Sequence, residues 1–206
     1  MDKTIVIGIT GPTGAGKTTL CKILKENSYA IINADKIAKK FLSTSQTCKQ
    51  KLIEHFGTDI VDVTGNLRPT ILAKKAFSTQ SEQVILNKIT HPGIIEAIKS
   101  ALEAHKLRGD KIVILDVPLL FETGLDICCN YTIAVLANEK IRCERLLKRD
   151  NIEKSLINLR MAVQNKNSYY KDRADYILEN DASLDDLNKK VREIFTELLG
   201  EMNEKI

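Results

Sequence analysis

The sequence predicts an α/β protein of three layers, in which a parallel sheet of five strands lies between helices. Three observations carry this prediction: continuous apolar runs of strand length, helical patterns between those runs, and the absence of alternation that would mark an exposed sheet face. The predicted strands are Thr4–Thr10, Tyr29–Asn33, Lys111–Val117, Tyr131–Ala137 and Asp175–Leu178. In such sheets ligands bind outside the carboxyl ends of the strands, so the residues after each strand are the first candidates for a site.

Amphipathic patterns predict the helices between these strands. They cover about Lys17–Asn27, Asp35–Leu42, Cys48–Phe56, Ile71–Ala76, Glu82–Leu107, Asn138–Arg149, Ile152–Gln164 and Leu184–Leu199. Pro92 is expected to break the long fifth helix. The mainly helical stretch Phe41–Asp110 is far longer than an ordinary crossover, and Ile141–Lys171 is rich in Arg and Lys, so either stretch is a candidate cover for a bound nucleotide.

Length and composition are typical of one globular domain spanning residues 1–206. Of 206 residues, 43% are hydrophobic and 28% are charged, and no apolar run approaches the roughly 18 residues of a membrane span. The net charge of +4 is spread over helix faces, so neither nucleic acid nor membrane is expected as a partner. The N-terminal apolar run enters a glycine-rich turn, as a first strand would, and the five cysteines show no metal-ligand spacing. We expect a cytoplasmic protein with reduced thiols.

The segment Gly11–Thr18, G-P-T-G-A-G-K-T, matches the phosphate-binding P-loop pattern between a predicted strand and a predicted helix. Its glycines let the backbone approach a phosphate, Lys17 reaches the β- and γ-phosphates, and the Thr18 hydroxyl is a candidate Mg²⁺ ligand. The predicted nucleotide-binding residues here are Gly11, Thr13, Gly14, Ala15, Gly16, Lys17, Thr18 and Thr19. GTPases carry an N-K-x-D segment, and the two Asn-Lys pairs, at 165 and 188, are not followed by that Asp. We therefore expect ATP.

Two carboxylates follow predicted strands. Asp35 comes after the second strand, where it could take the proton of an acceptor hydroxyl or orient that hydroxyl; capping the next helix is an equally good interpretation. Asp116 follows four apolar residues of the third strand, a pattern in which the carboxylate holds Mg²⁺ directly or through water. A turn-capping Asp is the alternative.

Other polar residues near predicted strand ends have weaker signals. Of the four arginines at 142, 145, 149 and 160, we expect one or two to contact nucleotide and the others to form surface pairs. The segment Asn180–Ser183 is typical of a turn and helix cap, and its backbone could border a base. Tyr169 and Tyr170 could stack on a base or, more simply, pack. A lone His91 is more often structural than ligand-binding.

Taken together, the motifs resemble the dephospho-CoA kinase family along nearly the whole chain. They are the P-loop, N-A-D-x-I-A-K at 33–39, H-P at 91–92, D-V-P-L-L-F-E at 116–122, R-L-L-K-R-D at 145–150 and A-D-Y-I-L-E-N-D at 174–181. The sequence departs from the family pattern at two places. Asn33 stands where the family has an acid, and the P-loop sequence is G-P-T-G-A-G-K-T where G-G-I-G-S-G-K-S is common. The resemblance implies a P-loop NTPase fold. It also implies an enzyme that phosphorylates the ribose 3′-hydroxyl of dephospho-CoA with ATP, the last step of coenzyme A synthesis.

The resemblance also implies a division of labour within the chain. The core would span about 1–40, 108–140 and 172–206, with a helical acceptor-binding insertion at about 41–107 and a lid at about 141–171. Asp35 would serve the acceptor hydroxyl, and Arg149 would act from the lid on the phosphates. Arg145 and Asn180 would contact ATP, and His91, Pro92 and Leu120 would contact the acceptor.

The expected reaction is an in-line transfer in which Mg²⁺ bridges the β- and γ-oxygens, Lys17 and a lid arginine offset the charge, and Asp35 orients the acceptor. Closure of the lid and insertion would exclude water. Two alternatives remain open on the residues alone. One is a nucleoside or nucleoside-monophosphate kinase, and the other is an ATP-binding switch that transfers no phosphate.

Overall fold

The computed structural model describes residues 4–150 and 153–204, and the chain divides into two compact units. One unit comprises Met1–Ile32 and His105–Ile206, and the other comprises Asn33–Ala104. The helical insertion expected at about 41–107 falls almost entirely in the second unit. Within the described residues, no helix combines the length and apolar character that a membrane crossing requires.

The first unit is built on a five-stranded parallel sheet, as predicted. Each strand lies within one residue of its predicted bounds: β1 Ile5–Thr10, β2 Ala30–Asn33, β3 Ile112–Asp116, β4 Tyr131–Leu136 and β5 Tyr176–Glu179. The strand order is β2-β3-β1-β4-β5, so β1 is central and pairs in parallel with β3 and β4. The register sets Ile9 opposite Asp116 on β3 and Ile133 on β4, so β1 and β3 end within one residue of each other and β4 continues two residues further.

Helices cover both faces of the sheet, which explains the continuous apolar runs. On one face, α1 (Lys17–Glu26) and α9 (Leu184–Glu204) bury leucines and Phe195 against β1, β3 and β4. Full burial of one such side chain contributes about 1.5–3 kcal/mol. Ser183 Oγ accepts a hydrogen bond from Asp186 N at 3.2 Å, which confirms the predicted cap at the start of α9.

The other face of β4 is covered by α8 (Asn167–Lys171), a short helix for which the sequence gives no signal. Tyr170 is buried there with Ala134 and Leu136, so the packing interpretation of this tyrosine is confirmed. Tyr169 contacts it edge-on, and the guanidinium carbon of Arg173 lies 4.0 Å from the Tyr169 ring centre. Preceding α8 are α6 (Glu139–Asp150) and α7 (Lys154–Ala162); the predicted start of α7 at Ile152 lies outside the described residues.

The second unit is helical. It contains α2 (Ala34–Thr44), α3 (Gln46–Phe56), α4 (Pro69–Ala76) and most of α5 (Gln80–Leu107), with a 3₁₀ turn at Thr58–Ile60. Pro69 is the first residue of α4, where its missing N–H costs no helical hydrogen bond. The core of the unit is formed by six buried apolar side chains from α3, α4 and the 3₁₀ turn: Cys48, Leu52, Phe56, Ile60, Leu72 and Ala76.

The predicted break at Pro92 is wrong, because α5 continues through this residue. A proline removes one backbone hydrogen bond and crowds the preceding turn, a cost of about 3 kcal/mol. Burial on both sides of the proline offsets that cost: Leu86 and Ile89 pack on the core of the second unit, and Ile98 is fully buried. The helix is therefore held by packing and not by local propensity.

Candidate phosphate-binding site

The P-loop, Gly11–Thr18, connects the end of β1 to the start of α1, as predicted. Its three glycines all have positive φ: 133° at Gly11, 77° at Gly14 and 111° at Gly16. All three also lack room for a side chain, since a Cβ would lie 2.1 Å from Val135 O at Gly11, 2.9 Å from Arg142 O at Gly14 and 2.1 Å from Asn180 Nδ2 at Gly16. The motif thus requires glycine for conformation and for close packing.

The start of α1 has the features of an anion site. Gly16 occupies the N-cap position without a capping side chain, and no acidic residue lies in the first turn of this described helix. The first N–H groups and the positive end of the helix dipole are therefore directed at the loop. Lys17 bends over the loop and donates to the carbonyl oxygens of Gly11 and Pro12. Thr18 is exposed, and Thr19 is half-buried.

Two predicted nucleotide-binding residues, Asn180 and Arg145, meet at the P-loop. Asn180 is buried after β5 and donates from Nδ2 to Ala15 O at 2.7 Å. Arg145 on α6 donates to the same carbonyl at 3.4 Å and to Asn180 Oδ1 at 3.5 Å. The sequence suggested that the Asn180 backbone would border a base, whereas in the structure its side chain holds the loop.

A second support of the loop has no counterpart in the sequence motifs. Arg142 on α6, only 3% exposed, donates from Nε to Thr13 O at 2.8 Å and from Nη2 to Gln164 Oε1 at 2.9 Å. Gln164 Oε1 also accepts from Thr13 N at 3.1 Å. Burial lowers the pKa of the Arg142 guanidinium. Sequence reasoning gave no role to Gln164, because residues 13 and 164 are distant in the chain.

Asp116 lies at the end of β3 and is almost buried. The Cys21 thiol of α1 lies near this carboxylate; burial, followed by the charge of Asp116, raises the pKa of Cys21 to about 12. Thr18 lies three residues before Cys21 on the same face of α1. The hydroxyl and the carboxylate therefore belong to one side of the loop, and both offer the hard oxygen donors that suit Mg²⁺.

Asp35 lies in the second unit, one residue after the start of α2. The helix cap is Asn33, whose Oδ1 accepts from Lys36 N at 2.9 Å. The interpretation of Asp35 as the cap is therefore wrong: the departure from the family pattern, Asn33, performs that role. The Asp35 side chain is exposed in the first turn, where the helix dipole favours its negative charge.

His91 and Pro92 lie in the middle of α5 in the second unit, half-buried and exposed respectively. Burial lowers the pKa of His91. The next residue, Gly93, was missed by sequence reasoning: a Cβ there would lie 2.1 Å from Phe41 Cζ, so the ring packs directly on the helix backbone. The signal that could have found it is the glycine itself, in the interior of a helix.

Leu120 is fully buried in the first unit, where its methyl groups pack against Gly8. The neighbouring Leu119 is 51% exposed. The structure therefore assigns Leu120 to the core of the sheet.

Arg149 and Arg160 converge on one carboxylate. Arg149 Nε lies 2.6 Å from Asp150 Oδ1, and Arg160 Nη1 lies 3.1 Å from Asp150 Oδ2. The bond raises the pKa of Arg149 and lowers that of Asp150. Both arginine side chains are 60% exposed, so they form the surface pairing expected of part of the arginine set.

Comparison with known proteins agrees with this geometry. The sequence model of the dephospho-CoA kinase family matches residues 5–186. A dephospho-CoA kinase of Fusobacterium nucleatum is 35% identical over 187 residues, which are 91% of this chain and 95% of that protein. A crystal structure from Thermus thermophilus superposes with a TM-score of 0.80 at 27% identity, covering 95% of this chain and 98% of its own. A dephospho-CoA kinase from Campylobacter jejuni shares the fold, with a TM-score of 0.72 at 22% identity over 94% and 96% of the two chains.

Proposed function

The chain belongs to the dephospho-CoA kinase family, which phosphorylates dephospho-CoA with ATP in coenzyme A biosynthesis, and from this premise we propose that its residues perform that transfer on the ribose 3′-hydroxyl. The observation that supports a phosphoryl-transfer site most directly is the P-loop, whose glycines have positive φ and whose Ala15 carbonyl accepts hydrogen bonds from Asn180 and Arg145. A pre-formed anion site needs little reorganisation when charge develops on the transferred group.

In this proposal Lys17 exchanges the carbonyl oxygens of Gly11 and Pro12 for the β- and γ-phosphates of ATP. The exchange is favourable because a phosphate oxygen carries a full charge and a carbonyl oxygen does not. Arg149, with Arg160, would leave the shared carboxylate of Asp150 for the γ-phosphate, since an ion pair at the surface holds them only weakly. Their charge then offsets charge that develops during transfer.

Thr18 and Asp116 would hold Mg²⁺, because their hydroxyl and carboxylate oxygens are donors that this ion prefers. When bound, Mg²⁺ supplies charge neutralisation on the phosphate oxygens. The charge of Asp116 helps to raise the pKa of the Cys21 thiol, so this carboxylate lies near α1, the helix that also carries Thr18.

Asp35 is the proposed orienting group for the acceptor. It is exposed, it is not needed as a helix cap, and a carboxylate oxygen can accept the proton of the 3′-hydroxyl. The second unit, with His91, Pro92 and the rest of the predicted insertion, would bind the remainder of dephospho-CoA. We further propose small-molecule substrates without nucleic acid or membrane partners, and a cytoplasmic location.

ADP release with ATP and Mg²⁺, with and without dephospho-CoA, tests the function directly. We expect release to depend on dephospho-CoA, and AMP, CMP and adenosine to be poor acceptors. Preference for a nucleoside monophosphate would instead indicate the alternative kinase. ATP binding without acceptor-dependent release would indicate a switch.

Two variants test the assigned residues. Lys17→Ala and Asp35→Asn should each lower kcat by about 100-fold or more, the range of a lost catalytic contact, with an unchanged far-UV spectrum. Asp185→Asn is the matched control, since Asp185 is likewise an exposed acid in the first turn of a helix. Near-normal turnover of Asp35→Asn would remove Asp35 from the mechanism.

A further inference from the structure

Both backbone groups of Thr13 are held by side chains from the predicted lid segment, residues 141–171. The Thr13 carbonyl accepts from Arg142 Nε at 2.8 Å, and the Thr13 N–H donates to Gln164 Oε1 at 3.1 Å. The N–H belongs to the peptide before Thr13 and the carbonyl to the peptide after it. Together the two bonds fix two successive peptide planes of the P-loop.

The two side chains also fix each other. Arg142 Nη2 donates to Gln164 Oε1 at 2.9 Å, so this amide oxygen accepts two hydrogen bonds and uses both of its lone pairs. Arg142 is buried, and its Nε and Nη2 donate to two neutral oxygens. A buried guanidinium that lost Gln164 would be left with an unmet donor, which is costly.

The contact extends to the next residue of the loop. Gly14 has a φ of 77°, and a Cβ there would lie 2.9 Å from Arg142 O. The backbone of α6 thus forms the wall behind Gly14 while the Arg142 side chain holds Thr13. Rotation of the Thr13 peptides would therefore redirect the N–H groups of the residues that follow, which face the phosphates in the proposed function.

We propose that Gln164, acting through Arg142 and Thr13, is a positioning residue that sets the affinity of the P-loop for the polyphosphate of a nucleotide. This inference rests on the proposed nucleotide site. It makes Gln164 in the lid segment, 151 residues from Thr13 in the chain, a part of the phosphate-binding site. It concerns nucleotide affinity and not acceptor affinity, because among the described residues the side-chain hydrogen bonds of Arg142 and Gln164 join only these two residues and Thr13.

Three full-length variants test the proposal. Gln164→Leu keeps the approximate volume and removes the acceptor oxygen, whereas Gln164→Glu keeps an acceptor and adds a charge opposite Arg142. Asn165→Ala is the matched control: it removes a neighbouring hydrogen bond of the same segment, Asn165 Nδ2 to Glu122 Oε1 at 2.7 Å, which does not involve the P-loop. The readouts are the calorimetric Kd for ADP, the KM values of both substrates, and amide exchange at Thr13.

Gln164→Leu should weaken ADP binding about tenfold, equivalent to about 1.4 kcal/mol. It should also accelerate amide hydrogen exchange at the Thr13 N–H, which loses its acceptor. The KM of dephospho-CoA should stay within about twofold of the wild-type value, because the lost hydrogen bonds lie at the P-loop. Gln164→Glu should restore ADP affinity to within about threefold, and Asn165→Ala should match the wild type, because both preserve the acceptor at Thr13.

Unchanged ADP affinity in Gln164→Leu would overturn the proposal, as would equal weakening by Gln164→Glu or an equal rise in both KM values. Should Gln164→Leu fail to fold, Arg142→Lys provides the same test, since one ammonium cannot reproduce the fork that reaches both oxygens. ADP binding requires no acceptor. A failure of the dephospho-CoA assignment would appear as wild-type protein that binds ADP but does not turn over, which is a different result.

Discussion

Replacement of Gly16 by alanine tests whether the P-loop glycine is required by conformation alone or also by its contact with Asn180. At a φ of 111° an L-residue is strained, which costs about 1–2 kcal/mol. The new Cβ would lie 2.1 Å from Asn180 Nδ2, so the amide must leave Ala15 O, to which it donates at 2.7 Å. Leaving that buried pair unmet costs about a further 1–3 kcal/mol. The expected loss of unfolding free energy is therefore about 2–5 kcal/mol.

Urea unfolding measures this loss as a lower midpoint at constant m value. Gly109→Ala is the matched control in the same unit, because Gly109 also has a positive φ, 77°, but has no atom within 4 Å of the position of a Cβ. It should cost only the strain, about 1–2 kcal/mol. The difference between the two variants isolates the contact with Asn180.

A double-mutant cycle with Asn180→Ala completes the test. In the double variant the new Cβ meets no amide, so its cost should fall short of the sum of the single variants by about 1 kcal/mol or more. Additivity within about 0.5 kcal/mol would refute the steric argument. So would a Gly16→Ala variant no less stable than Gly109→Ala.

Three further predictions concern other parts of the molecule. Gly93→Ala should destabilise the protein by about 1–3 kcal/mol through its clash with Phe41. Gly200→Ala, in a helix with open space around the new methyl group, should stabilise it by about 0.5–1 kcal/mol. Thermal denaturation measures both changes, and a shift of the two melting temperatures in the same direction would contradict the packing at Gly93. Burial lowers the pKa of His91, so the unfolded chain binds a proton at this residue more readily than the folded protein does. The free energy of unfolding should therefore fall as the pH drops below about 6.5. His91→Gln should reduce this pH dependence in urea titrations at several pH values, and an unchanged dependence would exclude His91 as its source. Burial and the charge of Asp116 raise the pKa of Cys21 to about 12, so this thiol should react slowly with iodoacetamide at pH 8 in the native protein. It should react quickly in denaturant, and mass spectrometry follows both reactions. Rapid labelling of the native protein would contradict the burial of Cys21.

The regular elements of the fold were predictable from local pattern. A strand buried on both faces must be apolar throughout, and each such run proved to be a strand of the sheet within one residue of its bounds. Short elements were not predictable in this way. The five residues of α8 are too few to show a helical period, and the α5 helix persists through Pro92 because packing on both sides outweighs a local cost.

The candidate site was likewise predictable only where its residues are neighbours in the sequence. Its chemistry was visible in the sequence because a P-loop needs its glycines, its lysine and its hydroxyl within eight consecutive residues, so chain geometry alone brings them together. The role of Asn33 could not be distinguished from that of Asp35 by spacing, since both lie where a helix begins. Only the observed hydrogen bond to Lys36 N assigns the cap to Asn33 and leaves Asp35 available.

Sequence by itself determined the fold class, the phosphate-binding loop and the family resemblance, because each depends on residues that are neighbours in the chain. The tertiary structure alone decided what supports that loop. Asn180, Arg145, Arg142 and Gln164 reach it from positions more than a hundred residues away, and such contacts exist only when β4, β5 and α6 are packed beside β1. No local pattern encodes them, since long-range hydrogen bonds are set by the pairing of strands and the burial of helices around the loop.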